Sequence, residues 1–293
     1  VDGRGRTMTT TETPTEASAT RVAGRFRERY EAAALKNDSL LCVGLDPDPK
    51  QIPVGVSVKD FLLGVIEATS DLVCAYKPNS AFFEQYGDEG WATLREVIAA
   101  VPDEIPVLLD SKRGDVGHTA EAYASALYDW LGADGVTLNP YLGIDALEPF
   151  LAYEDRMAFV VCRTSNASAG DFQDMMAGDV RLYERVAELS RDWNSRGNVG
   201  LVVGATYPEE AGRVRAICPD QLLLLPGVGA QQGDIDASVQ AAVDANGGGI
   251  LVNASRGVLY ADPVKNGCAV GGWAEASRAA AKQLRDAINA ARR

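Results

Sequence analysis

The sequence predicts an α/β chain folded as a (β/α)₈ barrel, a single domain behind an N-terminal lead-in helix. Short apolar runs recur eight times: LCVGLD, LVCAYKPN, IPVLLD, GVTLNP, AFVVC, VGLVVG, LLLLPG and GILVNA. Such near-continuous Val/Leu/Ile runs are the pattern of strands buried on both faces. Helical stretches separate them, and strands alternating with helices pair in parallel through right-handed crossovers. Eight such units in 293 residues fit a barrel, whose typical domain is about 250 residues. A doubly wound sheet is the runner-up, but no strand run leads into Gly-x-Gly-x-x-Gly. The nearest fragment, PGVGAQQGD, lacks the third glycine at the right spacing and the acidic residue after the next strand.

Residues 1–20 are rich in Thr, Glu and Ser without periodicity and are expected to be disordered. Met8 is a reasonable native start, which would make residues 1–7 a cloning remnant. The barrel domain is assigned to residues 21–293, and residues 21–36 carry apolar and alanine positions at helical spacing, a helix suited to plugging a barrel floor. Helices are then expected in VSVKDFLLGVIEATSD, GWATLREVIAAV, AYASALYDWLG, RLYERVAELSRDW, PEEAGRVRAIC, DASVQAAVDAN and the final AEASRAAAKQLRDAINAA. In PEE, from Pro208 to Glu210, proline and two acids suit a helix start. The glycines from Gly247 to Gly249 precede strand eight and belong to the floor, where no function is expected.

Composition narrows the function classes. An apolar fraction of 46% with 24% charged residues is ordinary for a globular protein with a sizeable core. No apolar run reaches the roughly 20 residues of a membrane helix, and no secretion signal is evident. The net charge of −13 argues against nucleic-acid or anionic-membrane partners, whose phosphates would be repelled. It leaves room for a small anion, because a few local cations can dominate a pocket. Five cysteines, none in Cys-x-x-Cys, and an odd number at that, point to free thiols in a reducing compartment, the cytoplasm. One histidine, His118, rules out a multi-histidine metal centre. It is expected to be a surface residue in a helix's first turn.

In a barrel of this kind the chemistry sits at the C-terminal strand ends. Those ends carry Asp46 on strand one, Lys77 and Asn79 on two, Asp110 and Lys112 on three, and Asn139 on four. Strand five contributes Arg163, Thr164 and Ser165, strand seven Pro226 and Gly227, and strand eight Asn253 through Arg256. For Asp46, Asn79 and Asn139 a cap or turn role is an equal alternative. Lys77 differs, because an unpaired ammonium on a buried strand is expensive and calls for carboxylates such as Asp46 and Asp110. An alternating array Lys77–Asp110–Lys112–Asp115 would keep every member charged. Such an array suits a reaction that develops carbanion character and then needs a proton, for which lysine is the natural donor. The GVGAQQGD and NASRG loops after strands seven and eight offer backbone N–H groups and Arg256, a phosphate grip by two parallel hydrogen bonds.

The stretch LLDSKRGDVG carries Asp-x-Lys-x-x-Asp and resembles the catalytic loop of the orotidine 5'-monophosphate decarboxylases. KPNSAFFEQYG, CRTSNASAGDFQ, GLVVGATYPEE, PGVGAQQGD and VNASRGV extend the resemblance from about Leu41 to Ala261, and it is to the bacterial branch with longer loops. The resemblance implies release of carbon dioxide from orotidine 5'-monophosphate to give uridine 5'-monophosphate, the last step of de novo pyrimidine synthesis, without metal or organic cofactor. It implies that Asp46 and Lys77 contact the ribose, that Asp110 faces the leaving carboxylate and that Lys112 protonates C6. It further implies that Asp115 and Thr119 reach across a homodimer interface into a shared site. Ser165 would contact the pyrimidine, Gln231 and Arg256 would hold the phosphate, and Pro226 joins the substrate-binding set. Val116 stands where a bulkier isoleucine is common, and GAQQGD replaces the frequent GAQGGD, which leaves Gln232 as an alternative to Gln231.

Two other readings compete. A magnesium-dependent phosphosugar decarboxylase or aldolase of the same suprafamily is similar at Asp-x-Lys-x-x-Asp but has a glutamate at the end of strand two, where this chain has Lys77. A non-catalytic phosphate-binding barrel would not need the full charged set that is present.

Overall fold

A computed structural model describes residues 25–227, 235–269 and 271–293. Eight parallel strands form one sheet: β1 (Leu41–Leu45), β2 (Ala75–Pro78), β3 (Leu108–Arg113), β4 (Gly135–Leu138), β5 (Met157–Arg163), β6 (Val199–Val203), β7 (Leu223–Pro226) and β8 (Ile250–Ala254). The order in the sheet is β2-β1-β8-β7-β6-β5-β4-β3. Parallel bridges Tyr76–Val107 and Asn79–Asp110 join the two outer strands, so the sheet closes on itself. The predicted barrel is the observed one. β1, β2, β4, β6 and β8 are buried along their whole length, which is why their sequences read as unbroken apolar runs.

The lead-in helix α1 (Phe26–Lys36) lies under the floor, as its alanine-rich spacing predicts. Phe26 packs edge-on against Phe159 of β5, with ring centroids 5.5 Å apart, and the Tyr30 hydroxyl donates to the Ile250 carbonyl at the base of β8, 2.8 Å away. Arg29 pairs with the buried Asp134 ahead of β4, and Asp134 also accepts from the Val107 N–H at 2.8 Å. One helix thereby ties together strands from three parts of the ring. At the other end of the chain the helix Trp273–Ala291 packs beside the helix Val58–Thr69 and β1. Residues 1–20, expected to be disordered, lie outside the described residues.

Asp110 and Lys112 lie within β3, at its C-terminal end. Cys74, one residue before β2, is buried, as are Cys42 and Cys162 inside their strands. Among the described residues no helix is long and apolar enough to cross a membrane.

Candidate active site

The site begins with a break in the β3–β4 ladder. Leu109 pairs with Val136 and Arg113 with Leu138, so β3 advances four residues while β4 advances two. The surplus bulges at Asp110, Ser111 and Lys112, and Lys112 takes a φ of 45°, one of two left-handed non-glycine residues in the described chain. That backbone costs roughly 1–2 kcal/mol for a residue with a Cβ, and bulges beside active sites re-aim side chains. Here the result is a Lys112 Nζ held 2.6 Å from Asp110 Oδ1, on a side chain still 50% exposed.

Across the barrel's closing seam, β2 delivers Lys77. Its Nζ lies 3.4 Å from Asp110 Oδ2, and the side chain is only 4% exposed. Asn79 donates to the same oxygen at 3.3 Å and also caps the Ala81 N–H at 3.1 Å, so its site and turn roles coexist. Burial alone would push the Asp110 carboxyl up. The ammonium groups of Lys77 and then Lys112 overcome it, with hydrogen bonds from Lys112 and Thr137, and hold Asp110 at about 2. Burial likewise favours a neutral Lys77, but Asp46 and then Asp110 more than offset it and raise the lysine above its ordinary value. Lys77 and Asp110 therefore remain ionised despite their burial.

Beside this array opens a cavity of about 1230 Å³ lined by Asp46, Gly227, Asn253, Ser255, Arg256 and Tyr260, among others. The array residues do not line it; Asp46, whose charge acts on Lys77, is the link between the two. Ser255 donates to Asp46 Oδ2 at 2.6 Å. Asp46 Oδ1 and Asn253 Oδ1 are buried without a hydrogen-bond partner among the described residues. Buried acceptors left without partners on residues that line a cavity are suited to ligand hydroxyl or N–H groups. Tyr260, stacked on Phe61, holds the loop after β1 through the Asp48 N–H and the Asp46 carbonyl. Arg256 opens a short helix after β8, exposed and without an ion pair among the described residues. Ser165 lies at the mouth between the ends of β6 and β7, its Oγ 3.8 Å from where a Cβ on Gly227 would stand.

Comparison with known proteins shows the family of the chain. The family model for orotidine 5'-phosphate decarboxylase / HUMPS matches residues 39–268. A relative from Roseiflexus castenholzii named orotidine 5'-phosphate decarboxylase is 53% identical over 275 residues, covering 92% of this chain and 98% of its own. One of the same name from Dehalococcoides mccartyi is 47% identical, covering 90% and 97%. The structure of Leishmania donovani OMP decarboxylase superposes with a TM-score of 0.81 at 45% identity, covering 92% of this chain and 98% of that one. The chain belongs to the orotidine 5'-phosphate decarboxylase / HUMPS family. The matched span contains every predicted site residue, from Asp46 to Arg256.

Within this family member the predicted residues are not all brought together. Lys77, Asp110 and Lys112 meet directly, and Asp46 and Arg256 share the adjoining cavity. Pro226 ends β7, in register with Asn253 of β8. Asp115 does not join the array of its own chain; its carboxylate turns back to accept from the Val116 N–H at 2.8 Å. Thr119 follows on the helix Gly117–Ser125, with His118 exposed beside it as expected. Gln231, and its alternative Gln232, lie outside the described residues. Asn139 has the turn role, its Oδ1 accepting from the Tyr141 N–H at 3.0 Å. Arg163 is engaged by Glu210, with Gln173 and Tyr207 also in contact, so Glu210 does more than complement a helix dipole. Thr137 and Tyr260 were not singled out by sequence, and Ser255 was named only within the strand-eight end, not as a partner of Asp46. Thr137 sits inside an apolar strand run, and nothing local marks it.

Proposed function

We propose that this chain converts orotidine 5'-monophosphate to uridine 5'-monophosphate and carbon dioxide, with Lys112 delivering the proton to C6. The C6–carboxylate bond breaks, its electron pair stays on C6, carbon dioxide leaves, and an N–H proton of Lys112 passes to carbon. The observation that carries this reading is the graded array: Lys77 deep and charged, Asp110 ionised between two ammonium groups, and Lys112 half-exposed at the mouth. It combines a fixed anion with a lysine ammonium held beside it at the mouth. General-acid catalysis by a positioned side chain contributes typically about 10²–10⁴-fold. Asp46 Oδ1, buried without a partner among the described residues, suits a ribose hydroxyl, and Arg256, with Gln231, suits the phosphate. Ser165 is assigned to the pyrimidine, and Pro226 to the substrate-binding set.

The loss of the orotate chromophore on incubation with orotidine 5'-monophosphate and a chelator tests the reaction. Persistence of the chromophore, or turnover only with added magnesium, would move the chain to the phosphosugar side of its family. The two lysines around Asp110 argue against a divalent cation there. Five free cysteines, four of them buried, support work in a reducing compartment such as the cytoplasm.

We also assign Asp115 and Thr119 to a partner subunit's site in a two-fold homodimer. What supports it is that the Asp115 carboxylate accepts from the Val116 N–H and makes no ion pair with the lysines of its own array among the described residues. Subunit exchange between two inactive variants, Asp110→Ala and Asp115→Ala, is then expected to regenerate activity, with roughly a quarter of pockets of wild-type composition. Verified exchange without recovery would return Asp115 to its own chain.

A further inference from the structure

The structure assigns Thr137, in the middle of β4, as the positioning residue that sets the place of Lys112 and donates a hydrogen bond to the Asp110 carboxylate. Its side chain is wholly buried. Its Oγ1 lies 3.0 Å from the Ser111 N–H and 2.9 Å from the Lys112 N–H. These are the amides that the bulge removes from the regular β3–β4 ladder. Both lone pairs of the hydroxyl are thereby used, so its proton has one place to go: Asp110 Oδ1, 2.8 Å away. One hydroxyl closes the bulge, holds Lys112 in its left-handed backbone and donates to the carboxylate that Lys112 Nζ also contacts. A valine of the same shape would leave two buried amides without partners and Asp110 with one donor fewer. A serine would keep all three bonds.

The catalytic consequence rests on the decarboxylase reading; the electrostatic one does not. The experiment compares Thr137→Val and Thr137→Ser with the wild type by two readouts. In the first, kcat for orotidine 5'-monophosphate is expected to fall about 10²-fold in Thr137→Val, the scale of a misplaced reacting group. KM should change little, because the cavity residues lie on other strands. Thr137→Ser, which keeps the hydroxyl, is expected to stay within about tenfold of wild type. In the second readout, ¹³C NMR titration of the Asp110 carboxyl needs no substrate. Its midpoint should move upward in Thr137→Val and return in Thr137→Ser. Should Thr137→Val prove too unstable to titrate, Thr137→Ser with wild-type kcat and midpoint, set against Thr137→Ala with both displaced, gives the same support. Unchanged titration in Thr137→Val or Thr137→Ala, or a Thr137→Ser protein as impaired as either, overturns the assignment. Wild-type protein that leaves orotidine 5'-monophosphate intact while the titration behaves as stated would instead overturn the substrate reading alone.

Discussion

At the floor of the barrel Asp134, 1% exposed, accepts from Arg29, from Arg156 at 3.1 Å and from the Val107 N–H. At the mouth Asp110, 12% exposed, sits between Lys77 and Lys112, and the second of these is half open to solvent. Both carboxylates are paired twice, but to different ends. The floor also holds Arg215, which donates to five backbone carbonyls, those of Cys218, Pro219, Gln221, Ala242 and Gly249. Burial lowers that guanidinium's pKa, and the carbonyl cage answers its hydrogen-bonding needs. The mouth instead borders a cavity lined in part by Asp46 and Asn253, each with a buried oxygen that has no protein partner among the described residues. Isolated unpartnered atoms occur elsewhere too, Arg29 Nε and Gln221 Oε1 among them, but those residues do not line this cavity. The lesson is that charge in the same barrel serves stability where protein partners enclose it, and chemistry where it borders a cavity.

The largest expected effect breaks the mouth without touching the floor. Lys112→Ala should lower kcat by about 10²–10⁴-fold, the range for a lost general acid, while nucleotide binding survives. Its fold should persist, because Asp110 keeps Lys77, Asn79 and Thr137. Near-normal turnover in a steady-state assay would remove Lys112 from the proton-donor role. Asp134→Ala is the converse change. It leaves Arg29 and Arg156 facing each other without their anion, a loss of about 3–5 kcal/mol for a broken buried pair, to be read from denaturant unfolding. Turnover per folded molecule should be unchanged; a fall in kcat at wild-type stability would erase the division between the two ends.

The smallest effect is a pH dependence that the mouth adds to stability. Asp110 is held at about 2, below the ordinary carboxylate value of 3.8. The unfolded chain therefore takes up this proton first as pH falls. The array's stabilisation is complete above about pH 4 and disappears as pH drops through about 2, with a size of roughly 2 kcal/mol. Lys77, raised by Asp46 and Asp110 against the effect of its burial, behaves oppositely. Its contribution is present below the ordinary lysine range and is lost as pH climbs through the raised value. Thermal melts of wild type and Asp110→Asn across the acid window sharpen the point: the variant's curve should be flatter there. Parallel curves would mean that the lysines do not discharge their energy through Asp110.

Much of this was legible in the chain. Eight apolar runs separated by helical stretches suffice for the barrel, and the barrel alone sends attention to the strand ends, where Asp46, Lys77, Asp110, Lys112 and Arg256 stand. Lys77 was identifiable as paired before any partner was visible, because a lone ammonium on a buried strand is untenable. Less legible were residues whose role depends on a neighbour strand. Thr137 looks like any β-branched strand residue, and Ser255 like a turn serine until its bond to Asp46 is seen. Asp115 illustrates the limit of spacing: it belongs to the same six-residue motif as Asp110 and Lys112, yet its carboxylate accepts from the Val116 N–H.

The sequence by itself determined the alternation of strand and helix, the burial of the strands and the residue types available at the mouth. These depend on periodicity and on the cost of burying apolar or charged groups, which are local properties of the chain. Only the tertiary structure decided that the ring closes between β2 and β3, bringing Lys77 to Asp110 across 33 residues of chain. It also decided that β3 bulges over Thr137 and turns Lys112 into a left-handed conformation. Register, closure and bulge are set by how all eight strands pack around one core. A hydrogen bond between strands exists only once that packing has chosen which residues face each other.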